Sequence, residues 1–273
     1  MKQLRAIRIL LAILFLLATI DCLVIRRYIH PMAHAVEELQ IALSLNSYAM
    51  GVLLVWLLLT LVFGRVYCAS VCPVGVMSDI FFRLRKKIPR LNKPFRYRAA
   101  SKFSTPIFLA YLVCVIVGVM VVPLILEPWN ITRNMASVAN IQAANNGWVT
   151  IGLGAGVGVI AGLVSAVLIA LLSVWRGREF CTRYCPIGIG LGMVQQHSLF
   201  HIELDPDRCT SCGLCEDTCR SQCIDIKNRI IDQKRCVRCF DCVADCPEEA
   251  IRYQIHRNLR PGSPLMNKAN PKS

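Results

Sequence analysis

Acidic residues are scarce over most of this 273-residue chain. The sequence has 17 Asp and Glu against 31 Lys and Arg, and 11 of the acidic residues lie between positions 201 and 256. That segment also holds 8 Lys and Arg, which leaves the remainder with 23 basic and 6 acidic residues, a net charge of +17. A nucleic-acid-binding protein would carry such an excess on one face of a folded domain. Here the basic residues flank long apolar segments, where they set the orientation of a membrane protein.

Four segments have almost no charged residues. We predict that each crosses a bilayer as a helix, although the second is somewhat short for this. They cover residues 6–25, 48–63, 103–126 and 148–175. Few polar residues pair within them, which argues against a transport function. Basic residues precede the first segment, as in a signal peptide, but no small-x-small cleavage site follows it. We therefore expect a membrane-spanning helix there.

The glycines at the start of the fourth segment lack the companions of a nucleotide-binding loop. Residues 152–162 follow no predicted strand and have no suitable acidic residue downstream. Small residues instead allow transmembrane helices to approach one another closely. Trp148 and Trp175, at the two ends of this segment, are predicted interface anchors.

Basic residues predict the orientation of the four spans. Three lie in the N-terminal stretch, 10 in residues 64–102 and 3 in residues 176–183, against 2 in residues 26–47 and 1 in residues 127–147. Since positive residues collect on the cytoplasmic side, both termini are predicted to be cytoplasmic, in a multi-pass protein of the bacterial inner membrane.

Cysteine, by contrast, is abundant. In a secreted protein, 15 cysteines would indicate disulfides. Eight of them instead form two runs of the pattern Cys-x2-Cys-x2-Cys-x3-Cys, which begin at Cys209 and Cys236 and are offset by 27 residues. This is the bacterial pattern that ligates [4Fe–4S] clusters, in which the fourth cysteine of each run joins the other cluster. Metal and redox use is therefore expected, on the reducing side of a membrane.

The crossed pattern predicts the ligands of two [4Fe–4S] clusters. The first set is Cys209, Cys212, Cys215 and Cys246. The second set is Cys236, Cys239, Cys242 and Cys219. Two tetrahedral zinc sites are the alternative, although zinc fingers usually separate their CxxC pairs by a dozen or more residues.

The first run departs from the second in two places. Arg220 stands where the second run has Pro247, and Cys223 is an additional cysteine. The 27-residue offset aligns Cys223 with Ala250, at the start of a predicted strand. We interpret Cys223 as a small buried hydrophobic residue. The alternative is that it replaces Cys219 as a ligand.

A second motif repeats with an offset of 113 residues. Gly-Arg-x-aromatic-Cys-x3-Cys-Pro begins at Gly64 and again at Gly177. Each copy follows a pair of predicted spans, and paired repeats in membrane proteins commonly build a site at their interface. The four cysteines of the motif could hold a third metal centre, form a redox disulfide or pack as structural residues: Cys68, Cys72, Cys181 and Cys185.

Four spans, two CxxxCP turns and a two-cluster C-terminal region together resemble the NapH/MauN family of membrane ferredoxin-type proteins. NapH is the membrane quinol dehydrogenase component of periplasmic nitrate reductase systems. The resemblance covers nearly the whole chain, and NosR-type regulators and CcoG/FixG-type proteins share the same core. It implies electron transfer from membrane quinol through iron–sulfur clusters to a protein partner, either another ferredoxin-type protein or a cytochrome subunit.

Quinol oxidation releases protons, so it needs an acceptor near the membrane. Asp21 lies in the outer part of the first span, where an ionisable residue is a functional candidate. Glu127 follows the third span and precedes Pro128, and similar acidic-proline segments occur in the family. Both are predicted proton acceptors for quinol, with a structural role in the headgroup region as the alternative.

The sequence therefore predicts an all-α four-helix membrane domain followed by an α+β ferredoxin domain of the bacterial two-cluster type. The predicted boundaries are residues 1–200 for the membrane domain and 201–256 for the ferredoxin domain, with a disordered tail at 257–273. The expected function is electron transfer between the quinone pool and a redox partner. An accessory factor that reduces or assembles the metal site of a partner enzyme is the alternative.

Overall fold

The computed structural model describes residues 2–21, 23, 47–90, 94–101, 103–119, 126–139 and 155–255. The predicted tail from position 257 lies outside these residues, as do Cys22 and Trp148.

Helices dominate the described residues before position 196. In chain order they are α1 (Lys2–Ile20), α2 (Ser47–Phe63), the π-helical turn π1 (Tyr67–Val71), α3 (Pro73–Lys87), α4 (Ser104–Val117), α5 (Pro128–Ala139), α6 (Ala155–Arg176), the turn π2 (Phe180–Tyr184) and α7 (Pro186–Gln195).

Among the described residues, one helix is long and apolar enough to cross a membrane, Gln3–Ile20 within α1. Four shorter apolar stretches accompany it, Gly51–Phe63, Ser104–Val117, Gly162–Arg176 and Pro186–Gln195. Large apolar side chains on these helices face outward, and Ile116 is 82% exposed. Apolar surface of this extent marks a protein or membrane contact.

The third predicted span is not one continuous helix. α4 ends at Val117 because Gly118 adopts a left-handed conformation (φ 83°), which lets its N–H and that of Val119 close onto carbonyls of the last turn. Glu127 then lies beside the middle of α4, where it accepts a hydrogen bond from the Tyr111 hydroxyl at 2.8 Å. The predicted helix from 103 to 126 is therefore corrected to the shorter α4, which ends at Val117.

The two CxxxCP motifs fold alike. In each, a buried π-helical turn ends at the second cysteine, whose extended backbone (ψ 117° at Cys72 and 116° at Cys185) caps a helix with proline in its first turn. Proline suits this position because its missing N–H is not needed there. Gly75 and Gly188 follow, and a Cβ at either would collide with the carbonyl oxygen of Cys68 or Cys181. This close approach explains the glycine in both copies.

Arginines join the two copies reciprocally. Arg65 of the first copy donates to the carbonyl of Gly188 in the second at 2.6 Å. Arg178 of the second copy donates to the carbonyl of Cys68 in the first at 2.8 Å. Both arginines are fully buried. The conserved spacing of the motif thus builds one packed unit from residues 113 apart in sequence.

A buried carboxylate joins this unit to the rest of the chain. Asp79 on α3 pairs with Arg8 of α1, with Arg178 Nε at 2.7 Å and with Arg220 Nη1 at 2.6 Å. Burial raises the pKa of Asp79, but Arg178, Arg220 and Arg8 outweigh it and hold that pKa below its usual range. Arg220 also reaches Asp241 at 2.6 Å. One network therefore links the N-terminal helix, both CxxxCP copies and the C-terminal region.

The C-terminal region is a small α+β unit. Its elements are β1 (Phe200–Leu204), α8 (Leu214–Thr218), β2 (Ile224–Asp225), β3 (Ile230–Ile231), α9 (Asp241–Ala244) and β4 (Ile251–Ile255). β1 pairs antiparallel with β4, from Phe200↔Ile255 to Leu204↔Ile251, and β2 pairs antiparallel with β3. The core between these strands and helices contains Ile202, Ile224 and Ile251 together with cysteines of both runs.

We expect Asp79→Asn to lower the free energy of unfolding by about 3–5 kcal/mol, because three buried guanidinium groups lose a shared carboxylate. Thermal unfolding of the detergent-purified protein, followed by tryptophan fluorescence, measures the loss. The control is Asp205→Asn, which removes an exposed pair with Arg208 at 3.8 Å and should cost about 0–1 kcal/mol. Equal losses in the two variants would contradict the central role of Asp79.

The same carboxylate predicts a pH dependence. Because folding lowers the pKa of Asp79, its contribution to stability is complete above its unfolded pKa of about 4 and is lost as the pH falls through the folded value. The stability difference between the wild-type protein and Asp79→Asn should therefore shrink only in acid.

Candidate iron–sulfur site

The first predicted set of cysteines surrounds a cavity of about 330 Å³. Three come from the first run and the fourth, Cys246, comes from the end of the second. The remaining lining is mostly apolar and includes Leu204, Ile226 and Ile251. We call this space the first cavity; its cysteines are Cys209, Cys212, Cys215 and Cys246.

The second predicted set surrounds another cavity, of about 310 Å³, which we call the second cavity. Ile202, Ile231 and Val237 complete its apolar walls. Here Cys219, the last cysteine of the first run, meets three cysteines of the second run: Cys236, Cys239 and Cys242. The fold thus brings together the four cysteines of each set in the crossed arrangement.

The backbone of the two runs follows the same 27-residue offset. At three corresponding pairs of positions the chain adopts positive φ, although five of the six residues carry side chains. Such turns aim successive N–H groups at one point and suit an anionic group. The pairs are Ser211 and Arg238, Gly213 and Phe240, and Gln222 and Glu249. Left-handed backbone costs about 1–2 kcal/mol for each of these residues that has a Cβ, and the packing around the cavities offsets this cost.

The donor set fits a cubane cluster better than a single ion. Four sulfurs on apolar walls suit [4Fe–4S], whose corners each take one thiolate. Among the described residues, no three His, Cys, Asp or Glu side chains converge on one metal-ion position.

Cys223 also lines the second cavity and is buried. Its Sγ lies 3.5 Å from that of Cys219, and its backbone N–H points to the Cys219 sulfur at 3.4 Å. The hydrogen bond from Cys223 lowers the pKa of the Cys219 thiol. Cys219 is thus the better thiolate of the two, while Cys223 remains close enough to keep the alternative assignment open.

The four cysteines of the CxxxCP motifs meet in one buried core, which we call the CxxxC core. Trp56, Ile131 and Ile169 complete it with Cys68, Cys72, Cys181 and Cys185. All four are free thiols. Burial raises the pKa of Cys181 to about 11 even though Arg178 opposes it, and burial likewise raises the pKa of the other three. Without a metal they are neutral thiols at physiological pH.

The two predicted proton acceptors occupy different surroundings. Glu127 is buried, with hydrogen bonds from Tyr111 at 2.8 Å and from the Asn130 amide at 2.9 Å. Ile131, on the following turn, packs in the CxxxC core. Asp21 is half-buried directly after α1, at the opposite end of that helix from Arg8.

Several buried charged residues were not predicted from the sequence. Arg65 and Arg178 belong to the duplicated Gly-Arg pair, so the repeat carried a signal for them. Arg220 was marked only as a departure from proline. The repeat did not indicate a role for Asp79, because the second copy has Gly192 at the corresponding position.

Comparisons with known proteins agree with this geometry. Residues 48–92 and 159–203 match one family described as a 4Fe-4S binding domain, and residues 202–225 match another of the same description. The first two segments coincide with the two CxxxCP copies. No solved structure matches the chain.

Three similar proteins cover most of the chain. An uncharacterized protein of Methanocaldococcus jannaschii is 28% identical over 74% of this chain and 76% of its own length. The methylamine utilization ferredoxin-type protein MauN of Paracoccus denitrificans is 31% identical over 62% of this chain, which spans 53% of MauN. The ferredoxin-type protein NapH of Haemophilus influenzae is 27% identical over 70% of this chain and 62% of its own length. These similarities support a relationship to the NapH/MauN family of ferredoxin-type iron–sulfur proteins.

Proposed function

We propose that this chain is a multi-pass iron–sulfur protein of the bacterial inner membrane that passes electrons from quinol to a protein redox partner. The observation that carries the proposal is the pair of cysteine-lined cavities beside a set of apolar helices. When bound there, [4Fe–4S] clusters accept and donate single electrons. Their ligands would be the two crossed sets of four cysteines, with Cys219 rather than Cys223 in the second cavity.

Outward-facing apolar side chains support the membrane assignment. Leu10 of α1, Leu58 of α2, Ile116 of α4 and Val164 of α6 are each more than half exposed. In water such surfaces would be costly, whereas hydrocarbon accepts them. The basic residues around α3 and at the end of α6 favour the cytoplasmic side for both termini and both cavities.

Helix α7 supports a connection between the CxxxC core and the second cavity. It begins directly after Cys185 and ends at Gln195, whose amide donates to the carbonyl of Cys236 at 2.6 Å. Ten residues of helix cover about 15 Å. The CxxxC core would therefore lie between the apolar helices and the clusters, where it relays electrons or tunes the quinol step.

A cleft beside α4 supports entry of quinol from the bilayer. It has a volume of about 800 Å³ and a mostly apolar lining, as a quinol ring and its tail require. Tyr184, which precedes Cys185 of the CxxxC core, stands at its polar end. The full lining is Ser101, Phe103, Pro106, Ile107, Ala110, Arg183 and Tyr184.

The chain contains candidate acceptors for both the electrons and the protons that quinol oxidation releases. Oxidation of one quinol to quinone releases two electrons and two protons. Two [4Fe–4S] clusters held by the two cysteine sets would supply an acceptor for each electron. Glu127 is the proposed proton acceptor, because its buried carboxylate accepts hydrogen bonds from Tyr111 and Asn130 next to the CxxxC core. Asp21 is the second proposed acceptor. Each carboxylate would pass its proton on to water.

The experiment that tests the function is reduction of the purified protein by a menaquinol analogue, followed by EPR. We expect Glu127→Gln to slow this reduction roughly 100-fold, because a positioned proton acceptor typically increases a rate by about this factor. Asp21→Asn, measured in parallel, tests the second acceptor. Reduction by dithionite needs no proton acceptor and should be unchanged in both variants. A wild-type protein that dithionite reduces and quinol does not would overturn the proposed function.

Metal analysis of the purified chain tests the cluster count. Two [4Fe–4S] clusters give about eight irons per chain, whereas a third cubane in the CxxxC core would give about twelve. Cys223→Ala should keep the wild-type iron content, and Cys219→Ala should lose iron. The reverse result would make Cys223 the ligand, and bound zinc in place of iron would refute the assignment.

The CxxxC core has its own test. Cys68→Ser and Cys181→Ser should slow reduction by quinol at least tenfold while the iron content stays at about eight, since the two cavities keep all their ligands. Cys114→Ser is the matched control, because Cys114 is a half-buried cysteine of α4 outside both sets. Wild-type rates in the two core variants would leave these cysteines with a packing role.

A further inference from the structure

Two buried arginines lie near Cys236, a lining residue of the second cavity, and have no carboxylate partner among the described residues. Arg65 is 1% exposed and Arg238 is 0% exposed. Arg65 donates to the Gly188 carbonyl at 2.6 Å, and Arg238 donates to the Ser198 hydroxyl at 3.1 Å. Two further guanidinium nitrogens of each residue have no hydrogen-bond partner among the described residues. Neither arginine forms an ion pair with a carboxylate of the described chain.

Other buried arginines show how unusual this is. Arg178 and Arg220 are equally buried, yet both pair with Asp79 at 2.6–2.7 Å. Removing a charge from water costs several kcal/mol unless an opposite charge compensates it. Arginine keeps its proton in proteins, so it cannot avoid this cost by becoming neutral. Arg65 and Arg238 therefore need a negative group that the protein's own carboxylates do not supply.

The position of the pair indicates where that group lies. Arg65 and Arg238 lie within electrostatic range of each other and of the Cys236 sulfur. Arg238 sits between Cys236 and Cys239 in the sequence and stacks over the Tyr253 ring at 5.7 Å. Arg65 belongs to the first CxxxCP copy. Its neighbour Gly64 packs so closely against Arg238 that a Cβ on Gly64 would lie 2.5 Å from Arg238 Nε. Both cations thus lie behind Cys236, outside the residues that line the second cavity but within electrostatic range of its sulfur.

The first cavity has a different electrostatic character. Neither cavity has a Lys or Arg among its lining residues, but Glu248 lines the first cavity. The charged neighbours that act on its Cys215 thiol are other cysteines, whereas Arg238 and Arg65 act on Cys236. Cys212 is exposed, so water reaches this side. The two cavities therefore share ligands and size but differ in nearby buried charge.

We propose that Arg65 and Arg238 are the counter-charges of the cluster held by Cys219, Cys236, Cys239 and Cys242, and that they raise its reduction potential. The inference rests on the proposed function in one respect, namely that the second cavity holds a [4Fe–4S] cluster. Four thiolates make such a centre anionic, and reduction adds one further negative charge. Buried cations stabilise the reduced form more than the oxidised form, and they do so most strongly where the dielectric constant is low.

A raised potential assigns the second cavity as the entry point for electrons. Quinols are weak reductants compared with ferredoxin-type centres, so the first acceptor must be an unusually favourable one. Arg65 supplies part of this charge from the membrane-side repeat, across the boundary to the ferredoxin domain. The potential therefore depends on the docking of the two units, and the cluster in the first cavity is left to meet the protein partner.

The test is an EPR-monitored redox titration of the purified full-length protein. In Arg65→Gln and in Arg238→Gln, one of the two clusters should fall in midpoint potential by at least about 59 mV, a tenfold change in the one-electron equilibrium. The other cluster should not move. Arg238→Lys should restore most of the wild-type potential because it keeps the charge.

Arg208→Gln is the matched control. Arg208 also adjoins a cluster cysteine, Cys209, but its side chain is 54% exposed, so water and salt should screen its charge. Neither midpoint should shift in this variant.

Three results would overturn the proposal. They are unchanged midpoints in both Gln variants at full iron content, equal shifts of both clusters, and a Lys variant that behaves like Gln. If Arg238→Gln loses iron, Arg65→Gln carries the test, since Arg65 lies outside the cysteine runs. A wild-type protein without two clusters would instead refute the proposed function, and iron analysis detects that case separately.

Discussion

The architecture depends on one buried carboxylate. Asp79 accepts ion pairs from Arg8, Arg178 and Arg220, which belong to three separate parts of the chain. A lone buried charge of either sign would be strongly destabilising, so each partner requires the others. Because these pairs form only when helix α1, both CxxxCP copies and the C-terminal α+β unit are assembled, the network makes the helical unit and the α+β unit a single structure.

The duplicated unit kept its symmetry where the two copies face each other and lost it where one copy meets the ferredoxin domain. Arg65 and Arg178 still make reciprocal contacts to carbonyl groups of the opposite copy. Asp79, however, corresponds to Gly192, where a Cβ would lie 2.6 Å from the Lys234 carbonyl oxygen. The close approach of the ferredoxin domain excludes any side chain there, so only one copy can carry the carboxylate.

Buried arginines consequently serve two purposes. Those paired with Asp79 hold the units together. Arg65 and Arg238, with no carboxylate partner among the described residues, leave net positive charge beside the second cavity. The electrostatic difference between the two cavities would then arise from the same docking that positions α7 between the CxxxC core and Cys236, which couples assembly to electron flow.

Much of the site could be predicted from spacing alone. The spacing of the eight cysteines predicts which of them lie together, because cluster ligation allows few arrangements. The two cavities are lined by the sets that this spacing predicted. Hydropathy located the apolar helices but not the end of α4 at Gly118, since a left-handed glycine stops a helix without any break in apolar character. The sequence could not reveal that Glu127 contacts Tyr111, that Asp79 pairs with three arginines, or that Arg65 lies within electrostatic range of Cys236. Those contacts join residues that are far apart in the chain. Tertiary packing decides which residues become partners, and local sequence patterns do not indicate it.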